Sequence, residues 1–237
     1  MDSPFIRWGD AMKIRFAHIL FVSIGLALCA SSDTLIDDFS TAQGPVIDES
    51  TVSGSGILGG SRYIHYAGNE SNYVESTAGN LDFTYGDISS GDYITINYDG
   101  GAGTIEPNYT GLGGLNLGGA DGFLRFSINA STDIDLYITA WTDEDYASDI
   151  SGVTVTDSGA PFIFDVYFSN FDQYGPVGSA DFSNIGALQI AIYPTGDEHS
   201  NATMSINEIQ AVPEPASAAL MLGATIAGLL IRRLFCD

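Results

Sequence analysis

Lysine is nearly missing from this chain. Its 7 basic residues include one lysine, Lys13, and between residues 33 and 211 only Arg62 and Arg125 carry positive charge. Of the 30 acidic residues, Asp2, Asp10, Glu214 and Asp237 lie outside that stretch, which leaves 26 inside it and a net charge of −24. Such a surface repels phosphate, so nucleic acid is excluded as a partner. Cysteine is equally scarce: Cys29 and Cys236 both sit in terminal segments. No disulfide framework is available to the middle of the chain, and its fold must stand on its core alone. That middle also has only His65 and His199 as histidines, and it has no Gly-x-Ser-x-Gly elbow, phosphate loop or His-Glu-x-x-His pair. The base–nucleophile set of covalent catalysis is therefore wanting, and the body reads as not an enzyme. No stretch ahead of the C-terminal tail shows a helical period.

Strand signals take the place of helical ones. β-rich or alternating runs recur as Leu35–Phe39, Ser61–Tyr66, Tyr93–Tyr98, Gly122–Ile128, Ile134–Trp141, Phe162–Phe168, Leu188–Tyr193 and Met204–Ile209. Asn80-Leu81-Asp82, Asp99-Gly100-Gly101, Asp121-Gly122 and Ser151-Gly152 read as the turns between runs. Period-two runs with Gly, Asp and Asn punctuation, and 28 dispersed glycines, predict an all-β body: a single jelly-roll β-sandwich over residues 33–211. Four Asn-x-Ser/Thr triplets, at Asn69, Asn108, Asn129 and Asn201, read as chance in a Ser/Thr-rich domain.

The ends differ from the body. Met12-Lys13-Ile14-Arg15 is a basic start, Phe16–Leu28 is an apolar run, and Cys29-Ala30-Ser31-Ser32 are small. That order is the order of a signal peptide, read here as residues 1–32, with Met12 as an alternative initiator because Asp2 and Asp10 dilute the positive start. Leu28 stands where a lipidated Cys29 would need a small neighbour. At the other end, residues 212–237 hold Pro213-Glu214-Pro215, an apolar helix over 216–231 and the pair Arg232-Arg233. The prolines stop the last strand, the apolar run is a short membrane helix, and the arginines hold its end in the cytoplasm. These three parts resemble the PEP-CTERM sorting signal of Gram-negative bacteria that make exopolysaccharide. The resemblance implies recognition by an exosortase, transient residence in the inner membrane with the body outside, and delivery to the cell surface or extracellular matrix.

Ile36-Asp37-Asp38-Phe39, Gly56–Arg62 and Tyr98-Asp99-Gly100 resemble landmarks of galactose-binding-like jelly rolls, the fold of many carbohydrate-binding modules. That resemblance implies binding of glycan or matrix, with exopolysaccharide as partner, and a structural Ca²⁺ where first and last strands meet. The ligand candidates there are Asp37 and Asp38 on the first strand and Glu208 on the last, since hard carboxylates suit calcium. Asp143-Glu144-Asp145 is a second acidic cluster. Tyr109, Trp141, Tyr146 and Tyr174 lie near turn signals and are the candidates for stacking on sugar rings. Two other readings stay open at this point: a secreted glycan hydrolase using paired carboxylates, and a purely structural matrix protein.

Overall fold

The structure is a computed structural model that describes residues 32–213 apart from 70, 78, 86–90, 102, 157–159 and 196–201. The leader, the tail from Glu214 onward, His199 and Asn201 lie outside the described residues. Asp33–Pro213 form one compact unit. Its strands are β1 (Thr34–Asp37), β2 (Gln43–Val46), β3 (Glu49–Ser53), β4 (Ser61–Ala67), β5 (Tyr73–Thr77), β6 (Asn80–Tyr85), β7 (Tyr93–Tyr98), β8 (Phe123–Ala130), β9 (Ile134–Trp141), β10 (Ala147–Val155), β11 (Phe162–Tyr167), β12 (Asp172–Gln173), β13 (Ala187–Pro194) and β14 (Ala202–Val212).

They pair into two seven-stranded sheets. The first runs β11-β8-β14-β6-β5-β2, with β1 beside β14; the second runs β12-β10-β9-β13-β7-β4-β3. Within these, β6-β14-β8-β11 faces β7-β13-β9-β10, and the chain passes between the sheets so that two interlocked Greek keys result, the jelly-roll arrangement expected from the sequence. Alternation explains why these segments become strands. In β8, Leu124, Phe126, Ile128 and Ala130 point inward and are buried, while Phe123, Arg125, Ser127 and Asn129 point out. In β9, Ile134, Leu136, Ile138 and Ala140 do the same from the opposite sheet. Each buried Leu, Ile or Phe of this interior stabilises the fold by about 1.5–3 kcal/mol relative to exposure.

Two irregularities set what faces where. On β14 the pairing with β8 slips between Ile206 and Glu208, so Asn207 is an extra residue. The bulge keeps both Ile206 and Ile209 in the core although they are three residues apart, and it turns Glu208 outward. On β10 the register slips between Ile150 and Val153, and Gly152 takes φ 67° there. Ser151-Gly152 is thus a bulge inside a strand rather than a turn between strands. Asn80-Leu81-Asp82 likewise opens β6, whose side chains alternate out and in along its whole length.

A buried polar knot ties the sheets together. Arg62 on β4 and Asp37 on β1 are both fully buried, with Nη1 of the arginine 2.7 Å from Oδ2 of the aspartate. Arg62 Nε donates to Gln43 Oε1 (2.9 Å) and Nη2 to the Thr41 carbonyl (3.0 Å). Asp37 also accepts from the Phe39 amide (2.8 Å) and the Tyr98 hydroxyl (3.1 Å). The guanidinium lies 5.0 Å from the centroid of the Phe39 ring. Phe39, with φ 52°, is the one non-glycine residue with positive φ among the described residues. Its carbonyl accepts from Ser76 Oγ (2.9 Å), so the knot holds that backbone in place from both sides.

Candidate functional site

The outer face of the second sheet is built by the residues that alternate with its core-facing isoleucines and leucines. Register places Tyr137 of β9 opposite Ala191 of β13, Ala191 opposite Thr95 of β7, and Thr95 opposite His65 of β4. Tyr193 and Tyr93 stand two residues further along β13 and β7. The small Ala191 leaves room above it, and the rings close over the strands. Tyr137 and Tyr193 meet edge-on at 4.9 Å between centroids. Tyr193 and Tyr93 stack at 5.4 Å with 23° between planes. His65 lies 5.9 Å from Tyr93. Four rings thus cross four adjacent strands, a span of about 14 Å at ordinary strand spacing.

This row is accessible. Tyr137 is 40 % exposed, and Tyr193, Tyr93 and His65 are half-buried. The Tyr193 phenol is held above its usual pKa, first by burial and then by the neighbouring Tyr93 and Tyr137, so its hydroxyl stays neutral and can both donate and accept. His65 Nδ1 is buried and has no hydrogen-bond partner among the described residues. Asp135, at the end of the row on β9, accepts from Thr154 Oγ1 at 2.6 Å.

The same face continues along β9 to Trp141, four residues or about 13 Å beyond Tyr137. Here the segment between β7 and β8 folds over the sheet. Asn97 Nδ2 donates to the carbonyls of Thr104 (2.9 Å) and Ile105 (3.0 Å), and Gln189 Nε2 donates to Asn97 Oδ1 (2.8 Å). That segment brings Tyr109 to 5.5 Å from Trp141. Tyr109 donates to Glu106 Oε1 (3.3 Å); burial first, then Glu106, pushes its phenol pKa up, with Tyr174 and Glu144 adding smaller effects. Tyr146 ends the β9–β10 turn, its carbonyl accepting from the Thr142 amide (2.9 Å), and the Tyr174 amide donates to the Ala147 carbonyl (3.0 Å).

The aromatics named from the sequence therefore gather around one turn. Their exposure differs: Tyr146 and Tyr174 are 41 % and 63 % exposed, whereas Trp141 is only 8 % exposed and packs beneath Tyr109 with Ala147 and Ala187. Trp141 is an anchor for the overlying loop rather than an open platform. Gly186 permits this packing. A Cβ there would lie 2.0 Å from the Tyr109 carbonyl oxygen and 2.6 Å from that of Thr142. Gly186→Ala is expected to lower stability by about 1–3 kcal/mol and to lift the loop off the sheet. In a Trp8→Phe background, thermal unfolding and a red-shifted Trp141 fluorescence check this; an unshifted spectrum would count against it.

No family model matches this chain, and no curated protein matches it. Among solved structures the chain is similar to a family 29 carbohydrate-binding module complexed with mannohexaose, at 10 % identity over 81 % of this chain and 97 % of that one, with a TM-score of 0.38. It is also similar to a family 11 carbohydrate-binding module from Clostridium thermocellum in complex with a β-1,3-1,4-mixed-linked tetrasaccharide, at 14 % identity over 77 % and 98 % of the two chains, with a TM-score of 0.39.

The carboxylates proposed for calcium are not brought together. Asp37 faces the core and is taken up by Arg62; burial pushes its carboxyl pKa upward, and the guanidinium pulls against that rise. Glu208, turned out by the β14 bulge, sits on the outer face of the first sheet and accepts from Gln210 Nε2 at 2.5 Å. Asp38 caps a short turn; the Ser40 hydroxyl first, then its amide, holds its carboxyl below the usual range. Asp143 of the second acidic cluster accepts from the Asp145 (2.9 Å) and Tyr146 (3.1 Å) amides, which makes it a turn residue. Among the described residues no group of three His, Cys, Asp or Glu is placed to hold a metal ion.

The ring row escaped the sequence reading. Tyr137, Tyr193 and Tyr93 each occupy an outward position of a recognised strand, but only the pairing register shows that they meet. His65 falls within the Ser61–Tyr66 run, and its place at the end of the row depends on β4 lying beside β7.

Proposed function

We propose that the body is a non-catalytic glycan-binding module of an exported protein. The row Tyr137–Tyr193–Tyr93–His65 carries this reading. The C–H face of a sugar ring is apolar and packs against an aromatic ring, while its hydroxyls need donors and acceptors at the rim. Neutral phenols on a flat sheet offer both. The body's net charge of −24 disfavours an anionic polymer and leaves a neutral polysaccharide as the ligand class. Display of many copies on one surface would turn weak single contacts into retention.

Affinity electrophoresis of the full-length protein in mild detergent tests this. The gels contain the host's own exopolysaccharide or neutral β-glucans, and reducing ends are followed in parallel. Retardation without release of reducing ends is expected. Reducing ends that grow with time would favour the hydrolase, and no retardation in any polymer would leave a purely structural matrix protein.

Export and sorting belong to the same proposal and rest on the three-part tail. Pro213 is also part of the body: it is buried, and a Cβ on Gly118 would lie 2.6 Å from its Cα. The clean sorting variant therefore changes Glu214 and Pro215 to alanine and spares Pro213. Export of this variant should continue while tail processing stops, seen as an unprocessed band in cell fractions. Normal trimming would remove the sorting proposal and leave the glycan-binding one standing.

A further inference from the structure

The first sheet carries a second, unrelated surface on its own outer face. Register sets Tyr167, Phe123 and Val212 side by side on β11, β8 and β14, then Asp165, Arg125 and Gln210 in the next row. Beyond them stand Ile163, Ser127 and Glu208. Arg125 and Asp165 form a two-bond pair, Nε to Oδ1 at 2.8 Å and Nη2 to Oδ2 at 2.9 Å. Arg125 Nη1 has no partner among the described residues, and Arg125 lines a depression of about 210 Å³ together with Ser127, Ile163, Glu208 and Gln210. On the other side of the Arg125–Asp165 row the rings of Phe123 and Tyr167 lie 5.2 Å apart, and the Arg125 guanidinium is 5.1 Å from the Phe123 centroid. Ile163 is 65 % and Tyr167 48 % exposed.

From this juxtaposition, and resting on the glycan-binding reading above, we propose that the first sheet holds a second glycan site, which makes the module a cross-linker of neutral polysaccharide chains. The chemistry of the depression selects the ligand class. Asp165 already neutralises Arg125, and Glu208 adds a negative charge, so an anion gains nothing there. What remains is an amphipathic set: the Nη1 N–H groups of Arg125, the Glu208 carboxylate oxygen that Gln210 does not engage, the Gln210 amide oxygen and the Ser127 hydroxyl, with apolar Ile163 in the lining and Phe123 and Tyr167 two residues along their strands. Hydroxyl edges and C–H faces of a sugar match that set. The ring row lies on the outside of the other sheet, so the two sites point away from each other with both sheets between them. One molecule then holds two separate chains.

The test uses the full-length protein in mild detergent. Calorimetric titration with cellohexaose, mannohexaose and oligosaccharides cut from the host exopolysaccharide gives the number of sites, and light scattering on mixing with the intact polymer reports bridging. Two sites per chain are expected. Tyr167→Ala with Ile163→Asp changes only exposed side chains and spares the Arg125–Asp165 pair; it should leave one site, keep retention on the polymer and cut bridging about tenfold. Tyr137→Ala with Tyr193→Ala should also leave one site. A single site that is lost with the tyrosines of the ring row and untouched by the first-sheet changes would overturn the second site alone. A single site lost only with the first-sheet changes would place the glycan-binding surface there and overturn cross-linking. No binding by the wild type to any of these sugars would overturn the glycan-binding reading and this inference together.

Discussion

Arg62→Met should lower the stability of the body by about 3–5 kcal/mol, because it leaves the Asp37 carboxylate buried without its countercharge. For a domain of this size that loss corresponds to a melting temperature about 6–20 °C lower. Gln43 and the Thr41 carbonyl also lose their donors, and the Phe39 ring loses its cation. Denaturant unfolding of the full-length protein measures the effect. Two controls separate charge from packing. The double change Asp37→Leu with Arg62→Met should recover most of the loss, since apolar side chains of similar volume often replace a buried ion pair at little cost. The deficit of the single variant should also depend on pH. Burial already pushes Asp37 above its usual 3.8, and removing the guanidinium removes the opposing pull. A folded-state pKa raised above the unfolded value means that the native state holds the proton more tightly. The stabilising contribution of that proton is fully present below the unfolded pKa and is lost as pH rises through the folded one. The gap between variant and wild type should therefore narrow in acid and widen toward neutrality. A gap that does not change with pH would show that Asp37 is not the uncompensated group.

Tyr193→Ala should weaken binding of a neutral oligosaccharide by about tenfold, and Tyr137→Ala with Tyr193→Ala by up to about a hundredfold. Tyr193 is an interior ring of the row and touches both neighbours, so its loss opens a gap in the row rather than shortening it. Aromatic contacts contribute about 0.5–1.5 kcal/mol each beyond their area, which sets this scale. Calorimetry at the ring-row site, with the first-sheet site removed by Tyr167→Ala and Ile163→Asp, is the right measurement, because avidity on a polymer would mask a tenfold loss. Tyr193 is half-buried and packs on both neighbouring rings, so the variants should melt somewhat lower than the wild type, and binding is measured well below their melting temperatures. An unchanged dissociation constant would rule out the row as the binding surface. Trp141→Ala makes a useful contrast: that ring is buried beneath Tyr109, so its loss should appear in stability before it appears in affinity.

The eight strands that could be read from the sequence, β1, β4, β7, β8, β9, β11, β13 and β14, are rich in β-branched, aromatic and other apolar side chains, and those that alternate most clearly are β8, β9 and β13. Their hydrophobic period is strong because one face of each is buried against the opposite sheet. β3, Glu49–Ser53, is a polar edge strand paired only with β4, and it has no such period to show. β6 does alternate, but its Asn and Asp suggested a turn; burial of Leu81, Phe83 and Tyr85 and pairing with strands on both sides, β5 and β14, outweigh that local preference. The bulges hid β10 and the true facing of Glu208, since an inserted residue reverses every side chain after it. β1 has an irregularity of its own between Leu35 and Asp37, which sets Asp37 opposite Ile209 instead of Glu208, so the two carboxylates lie on opposite faces of their sheet. The binding row was illegible for a related reason: its rings come from strands up to 128 residues apart in sequence, and only β pairing puts them in one line.

The position of β14 has a mechanical consequence. Its Ala202–Val212 stretch is flanked by β8 on one side and by β6 and then β1 on the other. A load applied at Val212 along the strand runs at right angles to the ladder hydrogen bonds on both flanks. Those bonds resist together, in shear, rather than opening one after another from a free edge. Thr34 pairs with Ala211, so the first strand clamps the place where the load arrives. A module gripped at its C-terminal end can therefore bear tension through its most interior strand.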